Sequence, residues 1–134
     1  MEFFDNNSSY FIGRKRITGI FQTGRRLYIK NNVAQGDTYR LRRDYDNLYD
    51  ENAVEVIDMK GDRIGYIEAR ANADVAFFMD SGTECFCRIA AVDRSSSTVG
   101  LAADVFCLCD KQTAEETIAL YREKLIKEQV GKTK

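Results

Sequence analysis

The sequence has no proline, no histidine and no tryptophan, and its apolar runs are only a few residues long. Without histidine there is no Ser-His-Asp or Cys-His nucleophilic system and no imidazole ligand for a metal ion. Without proline, against a usual share of about 5%, turns must be made by glycine, asparagine, aspartate and serine. The short apolar runs exclude a helix long enough to cross a membrane. The opening MEFFDNNSSYFIG has neither the cationic start nor the apolar centre of a secretory signal. A cytoplasmic protein with no membrane contact is therefore expected, its four cysteines reduced rather than paired in a disulfide framework.

What is present is a chain of 134 residues that is 44% hydrophobic, enough for one domain with a real core spanning 1–134. Net charge is −1, but the charge is unevenly spread. Between residues 14 and 43 stand Arg14, Lys15, Arg16, Arg25, Arg26, Lys30, Arg40, Arg42 and Arg43, against the single acid Asp37. The remainder of the chain is acidic. Two readings follow: a local footprint for phosphates, or solvated strand faces whose arginines pair with the later acids.

Periodicity predicts about seven short strands and two helices, an α+β protein built on a small barrel. A strand is expected over 10–22, interrupted at Gly13 and Gly19, then a turn at Thr23-Gly24 and a return strand over 26–30. Residues 37–43 alternate in period two. Residues 44–52 have no period and read as a structured loop. Residues 53–59 and 64–67 pair across a Lys60-Gly61-Asp62 hairpin turn. One helix is expected over 68–81, stopped by Gly82. Strands over 84–93 and 99–109 follow, joined by a turn at Ser95-Ser96-Ser97. A capping box at Thr113-x-x-Glu116 opens a C-terminal helix over about 113–129, with Ala114, Ile118, Tyr121 and Leu125 in one stripe. The tail from Gly131 should fray.

The stretch LRRDYDNLYDENAVEVIDMKGDRIGYI carries the most information. In it Arg43, Asn47, Tyr49, Asp50, Asn52, Ala53, Val54, Gly61, Ile64, Gly65 and Tyr66 follow the order and spacing of the HIRAN domain, and the sequence resembles that family over about residues 15–110. The resemblance implies an OB-like β-barrel of six or seven strands, with one inserted helix and a C-terminal helix. It also implies binding of single-stranded DNA, in the better-known members at a 3′ end with a free hydroxyl, in DNA repair or replication. Those members carry the domain on Swi/Snf-type fork-remodelling translocases, which implies a helicase or translocase partner for a stand-alone chain. Nothing here matches a Walker motif or a helicase core, so no enzyme activity is expected. The sequence departs from the family pattern at Leu48, where proline is usual, and after Gly19, where Ile20, Phe21 and Gln22 replace an arginine and paired tyrosines.

Single strands are held by cations interleaved with aromatic faces on which bases stack, at about 1–3 kcal/mol per base. Phe21, Arg25, Arg26, Arg40, Arg42, Arg43, Tyr49 and Tyr66 supply that mixture and are the expected DNA-binding residues, with Asp50 to accept a hydrogen bond from a terminal sugar hydroxyl. Tyr39 shares a face with Leu41 and is read as core, while Asn47 and Asn52 are read as loop-shaping. Cys85-x-Cys87 and Cys107-x-Cys109 each fall on one face of a strand, yet cysteine is a common small buried hydrophobe, and no metal or cofactor is expected. Asp44, Asp46, Asp50 and Glu51 lack the glycine and terminal glutamate of a calcium loop. Asp50 with Asp58-x-Lys60 faintly resembles a metal-dependent nuclease. The other alternative is a protein-interaction domain that kept the fold without the pocket.

Overall fold

A computed structural model describes residues 8–95 and 99–132. Six antiparallel strands close into a barrel: β1 (Tyr10–Thr18), β2 (Thr38–Arg43), β3 (Val54–Ile57), β4 (Arg63–Ile67), β5 (Cys85–Asp93) and β6 (Gly100–Cys107). Their order around the barrel is β1-β4-β3-β2-β5-β6. Register shifts between Phe11 and Gly13, Val56 and Ile57, and Ile89 and Ala91 mark bulges, which bend and twist strands as closure requires.

Alternation fills the interior. Cys85, Cys87 and Ile89 point inward from β5, and Leu101, Ala103, Val105 and Cys107 from β6. Leu41, Val54, Val56, Ile64 and Ile67 complete the packing. Outside the barrel, Phe86 stacks on Phe106 with ring centroids 5.4 Å apart, and Phe11 tilts onto Phe106 at the same separation. Tyr39 packs against the core as expected, its hydroxyl donating to Asp37 at 3.1 Å.

Among the described residues three helices flank the barrel: α1 (Arg26–Asn32), α2 (Ala73–Asp80) and α3 (Lys111–Lys132). Residues 26–30 are thus helical rather than a return strand. Ile29 and Val33, one helical turn apart, are both buried, whereas a strand would have buried every second residue. Strand β1 ends at Thr18, and Phe21–Thr23 form a 3-10 turn. The helix expected over 68–81 is broken: Ala69–Ala71 form a 3-10 turn, and α2 starts only at Ala73. At the break Asn72 is buried and its amide is committed to Asp50, 2.8 Å away.

The cap of α3 is Asp110, not Thr113. Asp110 Oδ1 accepts the Thr113 N–H at 2.7 Å, and the helix begins at Lys111. Its inner stripe packs through Ala114 and Ile118, and Tyr121 meets Phe77 of α2 at 5.2 Å. Gly131 continues the helix. Ser96 and Ser97 of the expected serine turn and the last two residues of the tail lie outside the described residues. Among the described residues, no helix is long and apolar enough to cross a membrane.

Candidate functional site

The site is built where the end of β1 meets β4. Gly19 follows β1 at φ +72°, and a Cβ there would stand 3.2 Å from the Tyr66 ring. Glycine therefore satisfies the backbone conformation and lets the ring lie against the chain. The Tyr66 hydroxyl donates to Asp44 Oδ2 and receives Arg63 Nη1, both at 2.8 Å. The Arg63 guanidinium also sits 4.8 Å from the centre of the Tyr66 ring. Burial and the bond to Asp44 raise the Tyr66 phenol above its ordinary pKa, while the Tyr66 hydroxyl holds Asp44 below the usual carboxylate range.

Glu55 extends this network. It lies buried between two valines of β3, and the price of placing it there is met by Arg42 Nε at 2.7 Å and Arg63 Nε at 3.5 Å. Arg25 joins from the other side, donating to the Arg63 carbonyl at 3.1 Å and pairing with Asp58 at 3.0 Å. Its guanidinium covers the Tyr28 ring, and that of Arg26 covers Phe21, at 4.8 and 5.3 Å from the ring centres.

The loop over 44–52 is cross-braced by its own side chains. Asn47 Oδ1 accepts the N–H groups of Tyr49 and Asp50 at 2.9 and 3.0 Å. Asp50 Oδ1 accepts the Asn52 N–H at 2.9 Å, and Asp50 Oδ2 takes the Asn72 amide. Arg43, its side chain only 6% exposed, donates to the carbonyls of Ala53 and Glu51 and pairs with Asp80 at 3.0 Å. Tyr45 lies on that guanidinium, and its hydroxyl reaches Asp80 at 2.6 Å. Asp44 Oδ2 is shared between Tyr66 and the Asn47 amide, the latter at 3.4 Å, so the loop and the Tyr66 network are joined through one carboxylate.

The expected site residues fall into four groups, with Arg26 lying over Phe21 beside the first of them. Tyr49 is 97% exposed and Phe21 63% exposed, both free to meet a ligand. Tyr66, Asp50 and Arg25 have one side in the network and one near the surface. Arg43 is a brace for the loop. Arg40 and Arg42 lie on the outer face of β2.

The basic run is largely matched by the later acids: Arg14 with Asp104, Lys15 with Asp74, Arg25 with Asp58, Arg40 with Glu84, Arg42 with Glu55 and Arg43 with Asp80. Among the described residues Arg16, Arg26 and Lys60 form no ion pair. Asp58 is bound to Arg25 and to N–H groups of its own hairpin turn, and Asp50 to Asn52 and Asn72. Among the described residues no group of three or more Cys, Asp or Glu could hold a metal. The four cysteines are free thiols, with Cys107 and Cys109 Sγ 3.3 Å apart.

Sequence reasoning missed Asp44, Glu55, Arg63, Asn72 and Asp80. Glu55 had a signal, an acid inside the run Ala53-Val54-Glu55-Val56 that demands a buried partner. The others had none: Asp44 bonds Tyr66, Asn72 bonds Asp50 and Asp80 bonds Arg43, each more than 20 residues away, and the short-range Arg63–Tyr66 contact has no pattern that marks it.

The model of the HIRAN domain matches residues 9–102. The chain belongs to the HIRAN family. A protein from Lactobacillus plantarum has the same fold as this HIRAN chain, with a TM-score of 0.70 at 20% identity, over 77% of this chain and 98% of that one. The crystal structure of the HIRAN domain of human HLTF superposes with a TM-score of 0.61 at 19% identity, over 85% and 89% of the two chains. The HLTF HIRAN domain in its DNA-bound conformation gives 0.52 at 19% identity, over 86% and 90%. At these identities the likeness establishes the shared barrel. No curated protein matches the sequence. Helix α3 lies beyond the stretch that the family model matches.

Proposed function

We propose that this HIRAN domain is a nucleic-acid-binding module rather than an enzyme, and that its ligand is a single DNA strand engaged at a 3′-hydroxyl end, in DNA repair or replication. The DNA-bound conformation recorded for the HLTF domain supports the ligand class. The observation that carries the reading is Tyr49, an almost fully exposed aromatic on a loop held by Asn47, Asp50 and Arg43. An exposed ring contributes nothing to the core, yet the backbone that carries it is held in place, as the mounting of a stacking platform requires. Phe21, with Arg26 over its ring, offers a second face, and Tyr66 a third.

Asp50 keeps acceptor capacity, because each carboxylate oxygen has two lone pairs and each is used once, Oδ1 by the Asn52 N–H of the loop and Oδ2 by the Asn72 amide ahead of α2. A terminal hydroxyl can donate to it, whereas a terminal phosphate is repelled. The experiment is a titration by fluorescence anisotropy of 5′-labelled strands ending in a 3′-hydroxyl or a 3′-phosphate, with blunt duplex for comparison. The hydroxyl strand should bind tighter, Tyr49→Ala should weaken it, and Asp50→Asn should narrow the preference. Equal affinity for both ends, unchanged in Asp50→Asn, would make the acid structural. Absence of binding to every strand would remove the nucleic-acid reading.

A further inference from the structure

A groove of about 790 Å³ lies beside the outer face of β2 and the β3–β4 hairpin, apart from the hollow of about 390 Å³ lined by Gly19 and Phe21. Its cations are Arg40, Arg42 and Lys60, and its apolar surface comes from Leu41, Ile57 and Met59. We propose that this groove is a second strand-binding surface, which takes the sugar-phosphate backbone of a single strand beyond the nucleotides held at Tyr49 and Tyr66. The inference rests on the nucleic-acid reading above.

Arg40 and Arg42 are two residues apart on one face of β2, about 7 Å along the strand, close to the spacing of successive phosphates on an extended single strand. Arg42 is bound to Glu55 through Nε, leaving its two terminal nitrogens for another acceptor. Arg40 is paired with Glu84 at 3.2 Å, but both side chains are 60% exposed. Such a pair contributes little, so a phosphate can replace the carboxylate. Lys60, at the hairpin, has no acidic partner among the described residues. Asp58, the other acid of the groove, is already neutralised by Arg25.

Met59 is 86% exposed on the same hairpin. An apolar side chain next to Lys60 suits sugars and bases whose phosphates lie on the cations of the groove. The groove is also continuous with the Tyr66 network, since Glu55 binds Arg42 on the groove side and Arg63 on the Tyr66 side. A strand leaving Tyr66 therefore passes over Arg63 and Arg42 towards Arg40 and Lys60. An acidic peptide would find the same cations, but not this continuity with the half-buried Tyr66 ring.

The test is a length series of oligodeoxythymidylates with a common 3′-hydroxyl end, from about 4 to about 16 nucleotides, the range that one OB-type barrel covers. Affinity should rise about tenfold or more across the series. The double variant Arg40→Gln/Lys60→Gln should bring the long strands down towards the short ones. It should also make the slope of log affinity against log salt shallower by about 1.4, as expected for two lost phosphate contacts on a single strand. Glu84→Gln, which removes the competing carboxylate, should strengthen the long strands alone, and thermal melting checks that each variant folds.

If affinity is independent of length and the variant leaves the salt slope unchanged while short strands still bind, the groove proposal falls and the end-binding reading stands. If no strand of any length binds, both fall. An equal loss on the shortest strand would mean that the cations act through overall charge, and the groove is overturned. Binding of a poly-glutamate peptide that depends on Arg40 and Lys60, with no length gain for DNA, would make it a peptide site and overturn the proposal.

Discussion

Replacing Gly65 by alanine tests how the barrel holds its site together. Gly65 lies in β4 opposite Val56 and is buried. A Cβ there would stand 2.5 Å from the Thr18 carbonyl oxygen and 2.7 Å from Ile17 Cγ2, with Ile20 Cγ1 at 3.4 Å. The first two separations are shorter than real Cβ contacts, and the first partner is backbone, which cannot rotate aside. The end of β1 must therefore move by about 1 Å, against ordinary carbon contacts of about 3.5–4.0 Å. Inserting a methylene into a packed core costs about 1–3 kcal/mol, and the backbone clash places this case near the top of that range. For a domain of this length each kcal/mol lowers Tm by about 3–5 °C, so Gly65→Ala should melt about 10 °C lower. Circular dichroism melting and a urea titration measure this. Gly61→Ala is the comparison: a Cβ there meets nothing within 4 Å, but φ is +86°, so the left-handed backbone alone should cost about 1–2 kcal/mol. A Gly65→Ala protein that melts at the wild-type temperature, or above Gly61→Ala, would refute the close-approach argument. Because Thr18 pairs with Tyr66, strand affinity should fall with Gly65→Ala more than with Gly61→Ala.

Tyr66→Phe removes the hydroxyl shared by Arg63 and Asp44 and should cost about 1–2 kcal/mol in urea unfolding, while affinity carried by the ring face changes little. Asp44 is held below the usual carboxylate range chiefly by the Tyr66 hydroxyl. Asp58 and Asp80 also lie below it: burial pushes each up, but Arg25 and turn N–H groups outweigh this at Asp58, and Arg43 and Tyr45 at Asp80. Stability from these three acids is complete above the ordinary carboxylate pKa of about 4 and is lost as pH falls through the lower folded values; Tm measured against pH should therefore drop below about pH 4, and less steeply in Asp44→Asn. Burial pushes the thiols of Cys85 and Cys87 up to about 12, and Cys107 also upward, so a chromogenic disulfide reagent should label half-buried Cys109 first and the others only on unfolding.

The barrel was legible because its signals are local. Alternation marked β2, β5 and β6, and the Lys60-Gly61-Asp62 turn fixed the hairpin between β3 and β4. Helix α1 was misread because Arg26 to Lys30 alternates in character, and its one decisive cue, Ile29 followed by Val33 a turn later, is a single pair. The break before α2 was hidden for a different reason. Asn72 is spent on Asp50, 22 residues earlier, and no window along the chain contains both. The same limit applies to the site: Tyr49, Asp50 and Tyr66 follow from their motif, but Asp44, Arg63 and Glu55 acquire a role only when β3, β4 and the loop meet. The basic run had two readings in the sequence, and the structure pairs most of it with the later acids.

Strands β1 and β4 are paired over two positions, Ile17 with Ile67 and Thr18 with Tyr66, whereas β1 and β6 are paired from Tyr10 to Ile17. This short seam is the barrel's clasp, and Gly19, Phe21 and Tyr66 all lie on or beside it. Fluctuations that part the barrel should begin there, with amide hydrogens of Thr18 and Ile67 exchanging faster than those of the β5–β6 ladder. A strand bound across Phe21 and Tyr66 would bridge the two sides of the clasp, so its binding energy would be spent partly on keeping the barrel shut. Protection at Ile67 would then report occupancy.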